Sequence, residues 1–350
     1  MRRALTRAML ALLTATALVP AGFLAPVRAT ETSGPGYHSW LRGNPADVTV
    51  HTRGGAMLEG GGSDRGPAWE WFLEQAGYGD IVIICASCDN VYDQYVENIH
   101  AVDSVQTLKL TERVSASDPF IVASVAGADG IFFAGGDQSD YVRVWKDTPV
   151  EDAVNGVIAR DGAIGGISAG LAILGQFLFA AEKDTIQSGQ AMADCYAKKI
   201  TLERDMLVVP ALASTITDTH FTQRARMGRL LTFMSRIITD GWADRVKGIG
   251  VDENAAALVA PDGMATIIGQ GDVSFVKMRA DDVRTCMPGE PPETRFVNVH
   301  VVHVGSTFDI ANWRGDPNRP VRVRVENGGL IVRTARPRGR IDRSSSSAPG

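Results

Sequence analysis

Short apolar runs alternate with longer amphipathic stretches through the first two thirds of the chain. The strand-like runs lie at 80–85, 130–134 and 162–167. The helix-like stretches, with apolar residues at helical spacing, lie near 64–76, 90–103, 139–146 and 149–160. Because strands that are apolar throughout are typical of sheets covered on both faces, this alternation predicts an α/β fold with a mainly parallel central sheet.

The pattern changes to β structure after about residue 245. Strand-like runs separated by turn signals follow at 246–251, 256–260, 265–269, 273–278 and 295–304. These runs predict antiparallel additions at the edge of the parallel sheet. No internal repeat or linker divides the chain, so we expect a single catalytic domain over 46–335, preceded by an irregular leader at 30–45 and followed by a flexible tail at 336–350.

The amino-terminal segment has the pattern of an export signal. Arg2, Arg3 and Arg7 precede an apolar run at 8–25, and Val27-Arg28-Ala29 has small residues at the spacing that a signal peptidase accepts. We expect a signal peptide over residues 1–29 and a secreted mature protein, with Sec and twin-Arg export both open. A membrane anchor is the alternative, but the run is barely long enough to span a bilayer.

Composition and charge narrow the class of partner. The chain has 350 residues, 45% of them hydrophobic, and 35 Lys plus Arg against 40 Asp plus Glu, a formal net charge of −5. Without residues 1–29 there are 31 basic and 40 acidic residues, a charge of −9. No basic field is available to hold phosphates, so nucleic acid is not expected as a partner, and no membrane contact is expected after signal cleavage.

Four cysteines remain in the predicted mature chain: Cys85, Cys88, Cys195 and Cys286. An even number in an exported protein favours one or two disulfides, and three complete pairings are open. The C-x-x-C spacing of Cys85 and Cys88 is also compatible with a redox motif or half a zinc site, but the other two cysteines lack matching spacing. We expect no metal and no cofactor.

The most specific motif is Gly166-Ile167-Ser168-Ala169-Gly170, which follows an apolar strand and precedes a helical run. The pattern G-x-S-x-G at such a turn is typical of a nucleophile elbow, in which the turn leaves the serine hydroxyl exposed. Ser168 is therefore the candidate nucleophile. The backbone N–H of Ala169 is a candidate donor to the oxyanion that forms during acyl transfer.

A serine nucleophile needs a base and a group that orients the base. Among six histidines, His220 follows a strand end, within Asp218-Thr219-His220, and precedes a basic segment. Glu253 follows another apolar strand that ends in two carboxylates. Because the carboxyl ends of parallel strands line one crevice, we expect Ser168, His220 and Glu253 to meet there on a single sheet as a catalytic triad.

A glycine-rich loop and an arginine cluster complete the candidate site. The loop contains Gly136, Asp137 and Gln138, and its backbone N–H groups at Gly136 and Asp137 are candidates for the oxyanion hole. It lacks the nucleotide-binding spacings, so ATP and dinucleotides are not expected. The arginines are Arg224, Arg226 and Arg229, which we expect on the helix after His220 with two guanidinium groups facing substrate carboxylates.

Taken in order, these motifs resemble the cyanophycinase family of serine peptidases, relatives of peptidase E. The resemblance extends from about Gly54 to Val259 and includes Met57–Asp64, the Gly136 loop, the elbow, and the segments 218–229 and 250–253. It implies a three-layer sandwich of the class I glutamine amidotransferase-like or flavodoxin-like type. It also implies hydrolysis of cyanophycin, a poly-aspartate that carries arginine on its β-carboxyls.

The resemblance also assigns residues and leaves two other functions open. It implies the triad given above. It places substrate-binding residues at Gln138, Asp218, Thr219, Arg224, Arg226 and Arg229. One alternative is an aspartyl or small-peptide dipeptidase with the same triad, and the other is a non-catalytic secreted binding protein on a hydrolase fold. The expected partner is a peptide or polymer substrate, and we allow for a homodimer.

Overall fold

The computed structural model describes residues 29–63, 66–315 and 320–333 of the chain. The proposed signal peptide, apart from Ala29, and the proposed tail lie outside the described residues. The strands are β1 Thr30–Gly34, β2 Tyr37–Gly43, β3 Ala56–Glu59, β4 Asp80–Cys85, β5 Ser104–Leu110, β6 Gly130–Phe133, β7 Ala163–Ile167, β8 Phe177–Phe179, β9 Leu202–Arg204, β10 Thr215–Asp218, β11 Arg245–Val251, β12 Ala255–Val259, β13 Met264–Gly269, β14 Val273–Arg279, β15 Val283–Thr285, β16 Glu293–Thr294, β17 Val297–Val302, β18 Thr307–Asp309, β19 Arg314–Gly315, β20 Val321–Glu326 and β21 Gly329–Arg333.

Helices lie between many of these strands. The α-helices are α1 Gly66–Gln75, α2 Val91–Ile99, α3 Pro119–Ala126, α4 Gln138–Trp145, α5 Pro149–Ala159, α6 Ala169–Ala172, α7 Ser188–Ala193 and α8 Met227–Thr239. Short 3-10 helices lie at Arg113–Ser117, Pro210–Leu212 and Ala280–Asp282. Within the described ranges, no helix combines the length and the apolar character that crossing a membrane requires.

The larger sheet has eleven strands among the described residues. Their order is β1-β2-β5-β4-β6-β7-β3-β12-β13-β18-β19. The five central strands, from β5 to β3, pair in parallel, and the strands on either side of them pair antiparallel. The prediction of an α/β fold with a parallel centre is thus met. Of the five runs expected to extend this sheet after residue 245, only β12 and β13 do so, and the other three, β11, β14 and β17, lie in a second sheet.

Helices cover both faces of the parallel centre. On one face, Trp69 and Phe72 of α1 pack with Phe132 of β6. On the other face, Tyr141 and Trp145 of α4 belong to the same buried cluster as Ile84, Phe133 and Ile164. Strands apolar at every position therefore have an apolar neighbour on each side, as their sequence requires.

The second sheet corrects the expectation that one sheet carries the whole site. Its order among the described residues is β21-β20-β17-β14-β11-β10-β8-β9, with parallel pairing between β8 and β10 and between β10 and β11. Helix α8 packs on it through Leu230, Phe233 and Met234. The chain passes between sheets in the turn from β11 to β12. The apolar pattern predicts that β11 and β12 are strands. Which sheet each strand joins depends on contacts between distant residues, which no local pattern encodes.

The leader is also not irregular. Strands β1 and β2 form a hairpin, and β2 pairs antiparallel with β5 over seven residues, from Tyr37 opposite Leu110 to Gly43 opposite Ser104. Buried and exposed side chains alternate at the start of β2, where Tyr37 is buried and His38 is exposed. The hairpin satisfies the backbone groups of β5 that an unpaired sheet edge would leave open.

Two disulfides settle the cysteine pairing. Cys85 at the end of β4 is bonded to Cys88, and Cys195 is bonded to Cys286 across 91 residues of sequence. The disulfide interpretation of the cysteines is therefore confirmed, and the redox and zinc alternatives for the C-x-x-C pair are not needed. No group of three or more potential metal-ligating side chains occurs in the described parts of the chain.

Candidate active site

Ser168 lies in the sharp turn between β7 and α6, as the G-x-S-x-G pattern predicts. Its backbone has φ 53° and ψ −113°, a conformation that a non-glycine residue adopts only when its surroundings impose it. The turn also passes close to the neighbouring strand, because a Cβ at Gly170 would lie 2.6 Å from the carbonyl carbon of Phe133. Glycine at this position therefore allows the tight turn that exposes the Ser168 hydroxyl.

His220 brings the second sheet to the nucleophile. It follows β10 directly and has φ 44°, and its backbone N–H donates to the carbonyl oxygen of Gly60, at 2.8 Å. Its Nε2 lies 2.8 Å from Ser168 Oγ, which is hydrogen-bond distance. Ser168 and His220 therefore meet across the junction of the two sheets.

Glu253 completes a chain of hydrogen bonds that begins at Ser168. Its Oε1 lies 2.6 Å from Nδ1 of His220, and the glutamate follows the end of β11. With Nδ1–H donating to the carboxylate, Nε2 carries the lone pair that faces the serine hydroxyl. The arrangement can take a proton from Ser168 and stabilise the imidazolium that results.

Burial and charge together set the basicity of His220. Burial is the largest influence and lowers its pKa, and the nearby Arg224 and Arg226 lower it further, while the hydrogen bond to Glu253 raises it. The net direction is a pKa below the ordinary value, so the imidazole is neutral at neutral pH. A general base must be neutral before the reaction, which this environment favours.

The neighbouring carboxylate has a different task. Asp252 accepts the backbone N–H of Thr222 at 2.8 Å and that of Asp272 at 3.2 Å. Sequence alone treated Asp252 and Glu253 as one pair of carboxylates, but only Glu253 contacts His220. Gln223, which sequence analysis did not single out, accepts the backbone N–H of Glu253 at 2.9 Å. The only feature of the sequence that pointed to Gln223 was its position three residues after His220.

Ser168 and His220 open onto a cleft of about 230 Å³ between the two sheets. The predicted site residues that line it, apart from these two, are Gly136, Asp137, Gln138, Ala169, Asp218, Thr219, Arg224, Arg226 and Arg229. The structure therefore brings every predicted site residue except Glu253 to one cleft, and Glu253 lies behind His220. Phe179, Ala181, Asp184 and Thr185 also line the cleft and were not predicted.

The glycine-rich loop lies against the nucleophile. A Cβ at Gly135 would be 3.6 Å from the Cβ of Ser168. Asp137 caps helix α4 by accepting the backbone N–H of Ser139 at 2.9 Å. Gln138 donates from Nε2 to the carbonyl oxygen of Phe179 at 3.2 Å. The loop is thus tied to the β8 segment across the cleft.

The arginine cluster is arranged differently from the sequence-based expectation. Helix α8 begins at Met227, so Arg224 and Arg226 lie in the turns before it and only Arg229 is helical. The residues before Met227 are not helical because the backbone turns there. The N–H groups of His220 and Phe221 donate instead to the carbonyl oxygens of Gly60 and Val251.

A buried carboxylate holds two of the three arginines. Arg229 donates to both carboxylate oxygens of Asp218, from Nε at 2.8 Å and from Nη2 at 2.5 Å, and its side chain is 3% exposed. Arg226 donates from Nη1 to Asp218 at 3.3 Å and to Thr219 Oγ1 at 2.9 Å. Burial lowers the pKa of Arg226 to about 10, so it remains charged. Together Arg226 and Arg229 carry one more positive charge than Asp218 neutralises.

Arg224 differs from both. It is exposed, lines the cleft, and has no carboxylate within ion-pair distance in the described ranges. A free guanidinium beside the nucleophile is suited to a substrate carboxylate. The expectation of two guanidinium groups facing substrate thus changes to one exposed arginine supported by a buried, positively charged network.

Comparisons with known proteins bear on this geometry. No protein-family model matches the chain. A crystal structure of a peptidase from an acI-B1 Actinobacterium superposes with a TM-score of 0.50 at 14% identity, covering 74% of this chain and 98% of the other, which shows a shared fold. The cyanophycinase of a Nostoc species is 28% identical over 214 residues, 59% of this chain and 66% of the relative. That of Thermosynechococcus vestitus is 26% identical over 289 residues, 78% of this chain and 81% of the relative.

These similarities support assigning the chain to the cyanophycinase and peptidase E family. The resemblance drawn from the five ordered motifs is therefore confirmed, as is the expectation of a hydrolytic peptidase at the level of the family. The match to the Nostoc cyanophycinase spans slightly less than two thirds of that protein.

Proposed function

We propose that the chain is a secreted serine peptidase of cyanophycinase type in which Ser168, His220 and Glu253 form the catalytic triad. The observation that carries the proposal is the chain of hydrogen bonds from Ser168 Oγ to His220, at 2.8 Å, and from His220 to Glu253, at 2.6 Å. The strained turn at Ser168 supports it, since such strain is typical of a nucleophile elbow.

The reaction follows from these positions. Ser168 Oγ bonds to the carbonyl carbon of the substrate while its proton passes to Nε2 of His220. The imidazolium then gives that proton to the leaving amine as the C–N bond breaks. Water, deprotonated by the same histidine, cleaves the acyl-enzyme and restores the serine. Backbone N–H groups of Ala169, Gly136 and Asp137 are the proposed donors to the oxyanion.

The charges of the cleft favour a substrate that carries both carboxylates and cations. Arg224 is placed for a carboxylate, while Asp137 and Asp184 line the same cleft. Cyanophycin, whose β-aspartyl-arginine units carry a free carboxylate and a guanidinium group, has this combination. The proposed contacts are direct for Arg224 and Gln138, while Asp218, Thr219, Arg226 and Arg229 form the wall behind them.

The size of the cleft supports a second candidate, an aspartyl or small-peptide dipeptidase. Its volume of about 230 Å³ lies below the range of about 300–1,000 Å³ that is typical of small-molecule sites. A space of this size favours short substrates or the end of a chain. Comparing release from the polymer with release from Asp-X dipeptides distinguishes the two, because a site complementary to one transition state loses stabilisation with the other.

Two further parts of the proposal have indirect support. Both disulfides of the described chain are suited to an oxidising compartment, which supports export by the amino-terminal signal. Helices on both faces of the parallel strands support a three-layer, class I glutamine amidotransferase-like arrangement of the larger sheet.

The experiment compares hydrolysis of a β-aspartyl-arginine polymer by the purified protein and by its Ser168→Ala variant. The control is Ser117→Ala, at an exposed serine that does not line the cleft. We expect Ser168→Ala to lose at least 10³-fold in rate while the control keeps full activity. Unchanged turnover in Ser168→Ala refutes the nucleophile. If the unmodified protein hydrolyses neither polymer nor dipeptide and fluorophosphonate does not label Ser168, the non-catalytic binding protein is supported instead.

A further inference from the structure

Four basic side chains lie on one face of the second sheet, at the end opposite the catalytic cleft. Strands β11 and β14 pair antiparallel, with Arg245 opposite Arg279 and Lys247 opposite Lys277. Residues two apart on a strand share a face, so the four cations form a compact array, here called the basic quartet. Like charges directly opposite each other on paired strands are destabilising.

No ion pair joins the quartet to a carboxylate within the described residues. Asp244 and Asp281 line the same cleft, and the carboxylate of Asp282 accepts the backbone N–H of Arg279 at 2.9 Å. None of these three carboxylates forms an ion pair with any of the four side chains. Burial lowers the pKa of Lys247 and of Lys277, and the positive charge of Arg245 lowers both further. The four cations therefore lie together without a direct ion pair, in a chain whose net charge is −5.

Three members of the quartet line an open cleft, and its two lysines are held in place by an aromatic ring. Arg245, Lys247 and Arg279 line a cleft of about 690 Å³, three times the volume of the catalytic one. The ammonium groups of Lys247 and Lys277 lie 5.8 Å and 5.3 Å from the centre of the Trp313 ring. Cation–π contacts of this kind fix the direction of both lysines without neutralising their charge.

Position separates this cleft from the catalytic one. Lys247 precedes Glu253 by six residues along β11 and its end, which corresponds to about 20 Å in an extended strand. No residue lines both clefts. The proposed hydrolysis leaves the quartet unused, and an inference about the quartet stands independently of the triad.

We infer that the basic quartet is a docking site for an extended acidic peptide. Along each strand the cations repeat at about 6.7 Å, and across the strands at about 5 Å. Carboxylates on one side of an extended peptide repeat at the same distance of about 6.7 Å, since the peptide has the same rise per residue. Two successive carboxylates on one side of such a peptide therefore match the two cross-strand pairs of the quartet.

The test measures binding of a fluorescent twelve-residue oligo-D-aspartate, which a peptidase for L-residues does not consume, by fluorescence anisotropy. The first variant is Lys247→Gln/Lys277→Gln. The matched control is Arg322→Gln/Arg333→Gln, which removes another cross-strand pair of cations beside an aromatic ring, Phe296, from the same sheet. We expect at least a tenfold weaker Kd for the lysine variant and less than a threefold change for the control.

Further measurements test whether the charges of the quartet bind the peptide. A charge-preserving variant, Lys247→Arg/Lys277→Arg, is expected to bind within threefold of the original protein, and loss of binding there refutes the electrostatic basis. Equal weakening by both glutamine variants, or no binding at all, also overturns the inference. So does tighter binding of a polyphosphate with equal charge, since phosphate spacing does not match the quartet. Peptidase activity of the lysine variant is expected to be unchanged, which keeps this test separate from that of the triad.

Discussion

Gly61 lies directly against the imidazole of His220. A Cβ at Gly61 would be 2.7 Å from Nε2 and 2.8 Å from Nδ1, and the glycine has φ 115°, outside the ordinary range of other residues. The ring therefore occupies the space that any side chain at this position would take. The glycine-rich turn after β3 therefore leaves room for the proposed base.

We expect Gly61→Ala to reduce the rate of hydrolysis by at least 100-fold, because the added methyl group displaces the imidazole from Ser168. The control is Gly66→Ala, at a position where a Cβ has no neighbour within 4 Å. Both variants are assayed for kcat/KM and for thermal unfolding. Equal activity in the two variants contradicts the inferred contact.

Replacing Glu253 with Gln is expected to reduce kcat by about 10⁴-fold, the loss typical of a triad whose histidine is no longer held in the right tautomer. Glu253 raises the pKa of His220, so without it that pKa falls further and the acid limb of the pH–rate profile moves to lower pH. Exposed Glu31 provides the control, as Glu31→Gln. An acid limb that moves to higher pH would contradict this account.

Replacing Arg224 with Gln is expected to shift the acid limb in the opposite direction. Its charge lowers the pKa of His220, so the acid limb moves to higher pH when the charge is removed. If Arg224 also binds a substrate carboxylate, KM rises by about tenfold, the value of one exposed charge-assisted contact. The control is Arg284→Gln, at an exposed position on β15. A shift without a KM change would leave Arg224 only its effect on the base.

Asp93 is expected to make folding stability depend on pH. Burial raises its pKa to about 6, against the hydrogen bond from Thr107 and the charge of Arg42, which lower it. Since the folded state holds the proton more tightly than the unfolded chain, the contribution is full below pH ~4 and is lost as the pH rises through about 6. The change is at most about 3 kcal/mol. Urea unfolding from pH 4 to 8 should be flatter for Asp93→Asn than for Asp152→Asn, an exposed control.

The Cys195–Cys286 disulfide should contribute more to stability than the Cys85–Cys88 disulfide. It closes 91 residues of chain, against three, so the chain-entropy model assigns it about 4–5 kcal/mol. We expect Cys195→Ser/Cys286→Ser to lower the midpoint of thermal unfolding well below that of Cys85→Ser/Cys88→Ser. Similar midpoints for the two double variants would show that loop length does not govern their effect.

Sequence predicted much of the larger sheet because burial leaves a local trace there. Runs at 80–85, 130–134 and 162–167 correspond to β4, β6 and β7, and the elbow at Ser168 follows from its position after such a run. The pairing of strands into sheets, in contrast, has no local pattern in the sequence. Strands β11 and β12 are separated by three residues, yet they belong to different sheets.

Sequence also identified the charged residues of the site without predicting which of them are buried. Sequence identifies Asp218, Arg226 and Arg229 as charged residues near His220, but their mutual burial depends on how α8 packs on the second sheet. A spacing of three residues therefore suggested two free guanidinium groups where the fold has a buried network. Arg224 and Arg226 both precede the helix, yet Arg224 is exposed while Arg226 is buried against Asp218, a difference that their spacing does not encode.

The junction between the two sheets has a consequence for how activity responds to change elsewhere. Ser168 is carried by one sheet and His220 by the other, so the 2.8 Å separation of their reacting atoms measures how closely the sheets are seated. One buried apolar cluster joins the sheets, with Leu58 and Ile164 from the larger sheet and Ile249 and Phe275 from the second. Substitutions in this cluster can move one sheet by a fraction of an ångström and still leave every strand formed. Such variants would show the circular dichroism of the folded protein and yet be nearly inactive. The turnover rate would then report small changes in the relative position of the two sheets more sensitively than spectroscopy does.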